Sequence, residues 1–264
     1  MLRVENLHKT FNPGTPVANH ALRGVDVFLR PGDYVTLIGG NGAGKSTLLN
    51  AVAGTYPVEM GRILVDSIDV TRLPEHRRAP YFGRVFQDPM TGTAANMSIE
   101  ENLALAYRRG KRRTLRWGTS SKERGLYRDA LANLELGLEN RLSDKVGLLS
   151  GGQRQALTLV MATLKRPKLL LLDEHTAALD PKTAQNVLNI GSKIIEKHQL
   201  TTLMVTHNMK NAIEHGNRLI MMNAGRIALD ISGDEKRNLT VDELVAKFSQ
   251  TSGEEFVDGQ ALLN

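Results

Sequence analysis

Tyr34-Val35-Thr36-Leu37-Ile38 runs directly into Gly39-Gly40-Asn41-Gly42-Ala43-Gly44-Lys45-Ser46-Thr47, and Leu48, Leu49, Val52 and Ala53 then recur at helical spacing until Gly54. The opening residues are apolar or β-branched and predict a buried strand. Gly39 to Ser46 fits G-x-x-x-x-G-K-[ST], a loop whose glycines let backbone N–H groups turn inward around phosphates. The following helix would add its N-terminal N–H groups and positive dipole end. Lys45 supplies charge for β- and γ-phosphates, and the Ser46 hydroxyl is a ligand for Mg²⁺. Strand, loop and helix in this order predict an α/β core.

Further strands are read outward from this unit. Leu2, Val4 and Val25 to Leu29 alternate, Ile63 and Val65 mark another strand, and Arg84-Val85-Phe86 runs up to Gln87. Lys168 to Asp173 is a buried strand rich in leucine. Asp173 at its C-terminal end would hold Mg²⁺, and Glu174 is placed to act on a water attacking the γ-phosphorus. Thr201 to Thr206 ends at His207, on the sheet edge expected to face the phosphates, where the ring could donate to the γ-phosphate. The Gln87 amide could reach Mg²⁺ or the water. Arg218 to Asn223 and Arg226 to Ile231 read as a hairpin about Ala224-Gly225.

Residues 90 to 148 change to helical character. Ser98 and Glu101 form a capping box; Leu126, Ala130, Leu131 and Leu134 mark a second helix; residues 108 to 125 between them read as an exposed connection. Gln153 to Lys165 is helical, Asp180-Pro181 opens a helix through His198, and Thr240 with Glu243 caps a terminal helix before a frayed stretch from residue 250.

Composition narrows the classes. The 264 residues contain no cysteine, which excludes disulfides and thiolate metal sites and fits a reducing cytosol. No run approaches a membrane span and no signal-peptide pattern opens the chain. The net charge of +6 equals the six cations between residues 108 and 116: Arg108, Arg109, Lys111, Arg112, Arg113 and Arg116. Without interleaved aromatics the run does not read as a nucleic-acid contact, and a surface close to a membrane is the favoured reading.

Leu149-Ser150-Gly151-Gly152-Gln153 offers a second helix N-terminus with small residues, hence a second anion cradle in a chain that already has one. With the other motifs it makes the chain resemble the nucleotide-binding subunit of ATP-binding-cassette (ABC) transporters, over Leu2 to about Ile231. Gly39–Thr47 resembles the Walker A loop, Gln87 the Q-loop, Leu149–Gln153 the family signature and Leu169–Asp173 Walker B. Glu174 resembles the catalytic glutamate, Ala178-Leu179-Asp180 the D-loop, and His207 the H-loop. Phe11 stands where such proteins carry an aromatic that stacks on adenine. The residues around 12–19, His175, Ala156 and Met161 depart from common members without touching a phosphate-binding position.

The resemblance implies a P-loop NTPase core of ABC-ATPase type with an antiparallel β subdomain and a helical subdomain at about 90–150, within a domain spanning 1–240. It implies Mg²⁺-dependent ATP hydrolysis, with Glu174, His207 and Gln87 catalytic and Ser46, Gln87 and Asp173 on the metal. Phe11, Gly39, Asn41, Gly42, Ala43, Gly44, Lys45, Ser46 and Thr47 would bind ATP in one subunit. Leu149, Ser150, Gly151, Gly152, Gln153 and Asp180 would bind it from the other, in a head-to-tail homodimer. The expected partners are an integral-membrane permease and a separate solute-binding protein, with no nucleic acid, and the expected place is the cytoplasmic face of the membrane. Ile38 to Leu49 resembles amino-acid importers, and Asp173-Glu174-His175-Thr176-Ala177-Ala178-Leu179-Asp180 resembles uptake systems some of which serve aromatic amino acids. An exporter's ATPase and a soluble ABC ATPase are the alternatives.

Overall fold

The structure, a computed structural model, describes residues 1–111 and 119–252. Arg112, Arg113 and Arg116 of the basic run, and the tail beyond residue 252, lie outside the described residues. Met1–Arg78 with Leu200–Asn264 forms one compact unit, and Ala79–Gln199 forms another. The first begins with β1 (Leu2–Phe11), β2 (Asn19–Leu29), β3 (Tyr34–Ile38), α1 (Lys45–Ala53), β4 (Met60–Val65), β5 (Ile68–Asp69) and α2 (Glu75–Arg78). The second holds β6 (Phe82–Val85), α3 (Ile99–Tyr107), α4 (Ser121–Ala132), α5 (Gly151–Thr163), β7 (Leu169–Asp173) and α6 (Pro181–His198). The chain returns to the first unit with β8 (Thr201–Val205), α7 (Met209–Glu214), β9 (Arg218–Asn223), β10 (Arg226–Ser232), α8 (Gly233–Arg237) and α9 (Val241–Ser252).

In the first unit β3 pairs in parallel with β8 on one side and β9 on the other, and β10 closes on β9 as the expected antiparallel hairpin. Every residue of β3 is buried, as its unbroken apolar run requires. A separate antiparallel sheet, in the order β2-β1-β4-β5, covers the remaining early strands. Leu2 and Val4 face its core, but the alternation changes phase at Asn6, whose φ is 45° and beside which the register shifts. That bulge explains why β1 extends to Phe11 although sequence alternation is legible only at its start. The terminal helix folds back: Leu244 and Phe248 of α9 pack with Leu219, Met221 and Ile231 of the hairpin. The Thr240–Glu243 box forms as read, with Glu243 N–H donating to Thr240 Oγ1 at 3.3 Å. Residues 250–252 are helical rather than frayed, because the apolar stripe of α9 has this surface to bury against.

Arg78 closes the end of α1. Its guanidinium is almost fully buried and donates to the carbonyls of Ala51 at 2.8 Å and Val52 at 2.9 Å, as well as to Leu73 and Thr71. A cation at a helix C-terminus meets both the orphan carbonyls and the negative dipole end. Burial holds its pKa below the usual arginine range, without a carboxylate in hydrogen-bond contact.

The second unit pairs β6 with β7 in parallel, Arg84 opposite Leu171 and Val85 opposite Leu172. Its helices share a core of Ile99, Leu103, Tyr127, Leu131, Leu138, Val146 and Leu157. Ser98 and Glu101 make the expected capping box. A second box, Ser120 with Glu123, starts α4 earlier than the sequence suggests, so residues 121–125 are helix and not connection. The face packed into the core carries Tyr127 and Leu131, whereas Leu126 is exposed. The described cations of the basic run have partners within the unit. Arg108 pairs with Glu123, half-buried Arg109 donates to the carbonyls of Ala162 in the last turn of α5 and of Lys165 just beyond it, and Lys111 lies 4.3 Å from the Tyr107 ring centroid. Among the described residues no helix is long and apolar enough to cross a membrane.

Replacing Arg78 by Met leaves four carbonyl contacts unmade and should lower stability by about 3 kcal/mol. Urea unfolding would read this directly; an unchanged midpoint would mean that the cap is dispensable.

Candidate functional site: a phosphate loop and a second helix cap

The phosphate loop is built on the end of β3. Gly44 is the N-cap of α1 with φ 101°, and a Cβ there would stand 2.6 Å from the Ala21 carbonyl oxygen. Only glycine fits both the backbone angle and the approach of β2. Lys45 is buried, and its ammonium donates back to the carbonyls of Gly39 at 2.8 Å and Gly40 at 3.1 Å, closing the loop on itself. Ala43 is held by Gly225 N–H and by a bond of its own N–H to Gly40. Asn41, Gly42 and Ser46 stay exposed, and Thr47 is half-buried. The result is a rigid frame with its polar rim facing outward.

His207 belongs to the same unit. Thr206 N–H donates to the Leu37 carbonyl at 3.1 Å, so the residue after it lies at the β3 edge from which the loop springs. Thr206 Oγ1 accepts from Asn208 N–H, and Asn208 caps α7, which fixes the turn carrying the histidine. Phe11 sits at the end of β1, half-exposed, with its ring edge-to-face against Tyr56 at 5.3 Å and the Lys9 ammonium 5.3 Å from its centroid. Tyr56 is legible in the sequence only as an aromatic closely following the helix-stopping Gly54.

In the second unit Asp173 is the last residue of β7 and Glu174 follows with φ 43°. A left-handed glutamate costs of order 1–3 kcal/mol and persists where its surroundings impose it; here Ala177 N–H bonds its carbonyl in a tight turn. Gln87 lies beyond the end of β6, exposed, since the strand stops at Val85 instead of running to Phe86. β6 and β7 are parallel neighbours, so Gln87 and Asp173 leave from the same edge.

Leu149 is buried and Ser150 is the N-cap of α5. Gln153 N–H donates to Ser150 Oγ, and Ser150 N–H donates to Gln153 Oε1, both at 3.2 Å. The pentapeptide is therefore a capping box as well as a cradle, and the serine three residues before a glutamine is the sequence signal for it. Those glycines have a packing reason too: a Cβ on Gly152 would come within 2.2 Å of Thr183 Cγ2 in α6. Asp180 caps that helix through Thr183, and the same hydroxyl and amide hold its carboxyl below the usual range.

The oxygen donors of Gln87 and Asp173, which leave the same edge of the second unit, suit a hard cation. No cluster of three or more His, Asp or Glu that could hold a metal occurs among the described residues. Mg²⁺ keeps waters and phosphate oxygens and takes one or two protein ligands, so a strand-end carboxylate such as Asp173 suits it.

The family model for ABC transporters matches residues 22–177. The chain belongs to the ABC transporter family. It is 46% identical to the tyrosine transport ATP-binding protein of Clostridioides difficile, over 94% of this chain and 98% of that one. It is 36% identical to the thiamine import ATP-binding protein of Salmonella typhimurium, over 77% of this chain and 82% of the other. Among solved structures it resembles the ATP-binding cassette MJ0796, a dimer in a post-hydrolysis state bound to ADP and Pi, with TM-score 0.75, 26% identity and coverage of 88% and 98%. The chain is thus an ABC-type ATP hydrolase of a transporter, and ATP is its nucleotide.

Gly44→Ala should cost about 2 kcal/mol through the disfavoured φ and the clash with Ala21, and ATP affinity should fall with the deformed loop. Thermal unfolding and calorimetric titration with ATP check the two effects; a variant equal to the parent in both would show that the loop tolerates a Cβ.

Proposed function

We propose that two copies of this chain bind two ATP molecules head to tail on the cytoplasmic face of a membrane, and that hydrolysis drives a separate permease importing an amino acid. The single observation that carries the reading is the pair of helix N-termini for anions. One stands behind Gly44-Lys45 and the other behind Ser150-Gly151-Gly152, each with its own packing reason for glycine. One chain needs a single phosphate frame, so the second serves the ATP of another copy, with Leu149, Gln153 and Asp180 at its border. Two frames on opposite sides of an ATP convert the nucleotide into an interface.

In this reading the Gly39–Thr47 segment wraps the phosphates, and Phe11 with Tyr56 offers an aromatic edge for adenine. Mg²⁺, when bound, would neutralise phosphate charge; Ser46, Asp173 and Gln87 are the residues that would hold it. Glu174 accepts a proton from the attacking water, and His207 donates to the γ-phosphate side. The strained φ of Glu174 supports an imposed orientation for its carboxylate. Loss of the γ-phosphate weakens the sandwich, and the motion passes to the permease through the segment after Gln87 and the helices of the second unit.

Cargo enters by similarity. The 46% identical relative is named for tyrosine transport, and the aromatic amino acids are the proposed substrate class, delivered by a separate solute-binding protein. Co-purification with the membrane subunit and ATP-dependent uptake of tyrosine by reconstituted vesicles test this. A chain that never associates with a membrane subunit would remove the transport role, and uptake of thiamine but not tyrosine would replace the cargo.

Glu174→Gln should keep ATP binding, lower turnover by about 10²-fold or more, and trap a dimer visible by gel filtration. Turnover at the parental rate would remove Glu174 from the role of base. Ser150→Arg should bind ATP as a monomer and fail to dimerise; dimers formed with ATP by that variant would contradict the shared site.

A further inference from the structure

Arg84 is the one strongly charged residue in β6, a strand whose other members are Phe82, Gly83 and Val85. Its strand partner is Leu171, and Asp173 lies two residues further along β7, on the same face. The guanidinium Nη2 is 3.5 Å from Asp173 Oδ2, and the two side chains are only 13% and 15% exposed. On its other side the guanidinium lies 4.4 Å from the centroid of the Phe86 ring. Phe86 is itself tethered, because its carbonyl accepts from Nε2 of Gln155, a fully buried residue of α5. Arg84 is therefore held between an aromatic face and the carboxylate proposed above as a metal ligand.

We propose that Arg84 is a resident counter-ion of Asp173, a positioning residue that holds the carboxylate in the metal-free chain and competes with Mg²⁺ for it. The inference rests on the reading of Asp173 as a metal ligand. A carboxylate this deeply set is costly to leave unpaired, so some cation must accompany it before metal arrives. The guanidinium supplies that charge across 3.5 Å, longer than a close charge-assisted hydrogen bond, which makes the contact easier to part. The Phe86 face then keeps the cation in place when the carboxylate turns to the metal. A dication and a guanidinium beside the same oxygen repel each other. Arg84 thus lowers Mg²⁺ affinity while offsetting the charge of the Asp173 carboxylate before metal arrives.

The test is the ratio of ATP dissociation constants measured by calorimetry in EDTA and in Mg²⁺, on the full chain. That ratio reports the coupling between metal and nucleotide without requiring turnover. Arg84→Met should enlarge it about tenfold, while Arg84→Lys, which retains the charge, should stay near the parental value. Thermal unfolding of each variant would accompany the titration, so that a loss of fold is not read as a change in coupling. An unchanged or smaller ratio in folded Arg84→Met overturns the proposal, as does a lysine variant that shifts as far as methionine. Asp173→Asn separates the two layers. If it leaves the ratio at the parental value, Asp173 is not the metal ligand. If it collapses the ratio while Arg84→Met does nothing, only the counter-ion role fails.

Discussion

The burial of β3 between two parallel neighbours is the constraint on which the rest of the first unit depends. All five of its residues are enclosed, so the chain can present polar groups only where the strand ends. There it must turn sharply into α1, and the turn is stabilised by the Lys45 ammonium lying across the Gly39 and Gly40 carbonyls. The cap at the far end of α1, supplied by Arg78, keeps the helix from fraying away from the loop. A phosphate frame made of backbone N–H groups is only as good as the fixity of that backbone. Its accuracy comes from packing at β3 and from capping at both ends of α1, rather than from any side chain that touches ligand.

Much of this was legible in the sequence because the signals are local. A β-branched run followed by glycines, a lysine and a helix states its own geometry, and the hairpin at Ala224-Gly225 and the boxes at Ser98 and Thr240 are likewise contained within a few residues. What was not legible depended on distant partners. The extent of β1 past its bulge is decided by pairing with β2 and β4, not by its own alternation. α4 looked amphipathic about Leu126, but it starts earlier, at the Ser120–Glu123 box, and packing against the other helices of the unit takes Tyr127 inward instead. The terminal helix continues past residue 250 because a surface on β9 and β10 receives it.

The candidate site divides along the same line. Glycine, lysine and the strand-end carboxylates announce themselves by spacing, whereas Tyr56, Gln155, Thr183 and Arg84 matter only through what they touch. Arg84 did leave a trace, since a charged residue within an apolar strand requires a partner, and its partner is the carboxylate that the leucine run delivers. The basic run at 108–116 carried the opposite lesson. Read as a patch it pointed outward, yet among its described cations Arg109 is half-buried and bonded to the Ala162 and Lys165 carbonyls at the end of α5. Charge density along a sequence does not give the direction in which the charges face.

The reciprocal bonds between Ser150 and Gln153 bear on selectivity among anions. In a single chain two backbone donors at the start of α5 already have acceptors, through contacts that are long at 3.2 Å. An inorganic phosphate arriving alone must displace them to gain one exposed helix end, and the exchange yields little. A γ-phosphate already fixed in the frame of another copy arrives without further loss of freedom and can take the same donors. In the proposed dimer the half-site would gain little from loose phosphate in solution and would respond to a nucleotide presented by the other copy, which would make it a coincidence detector.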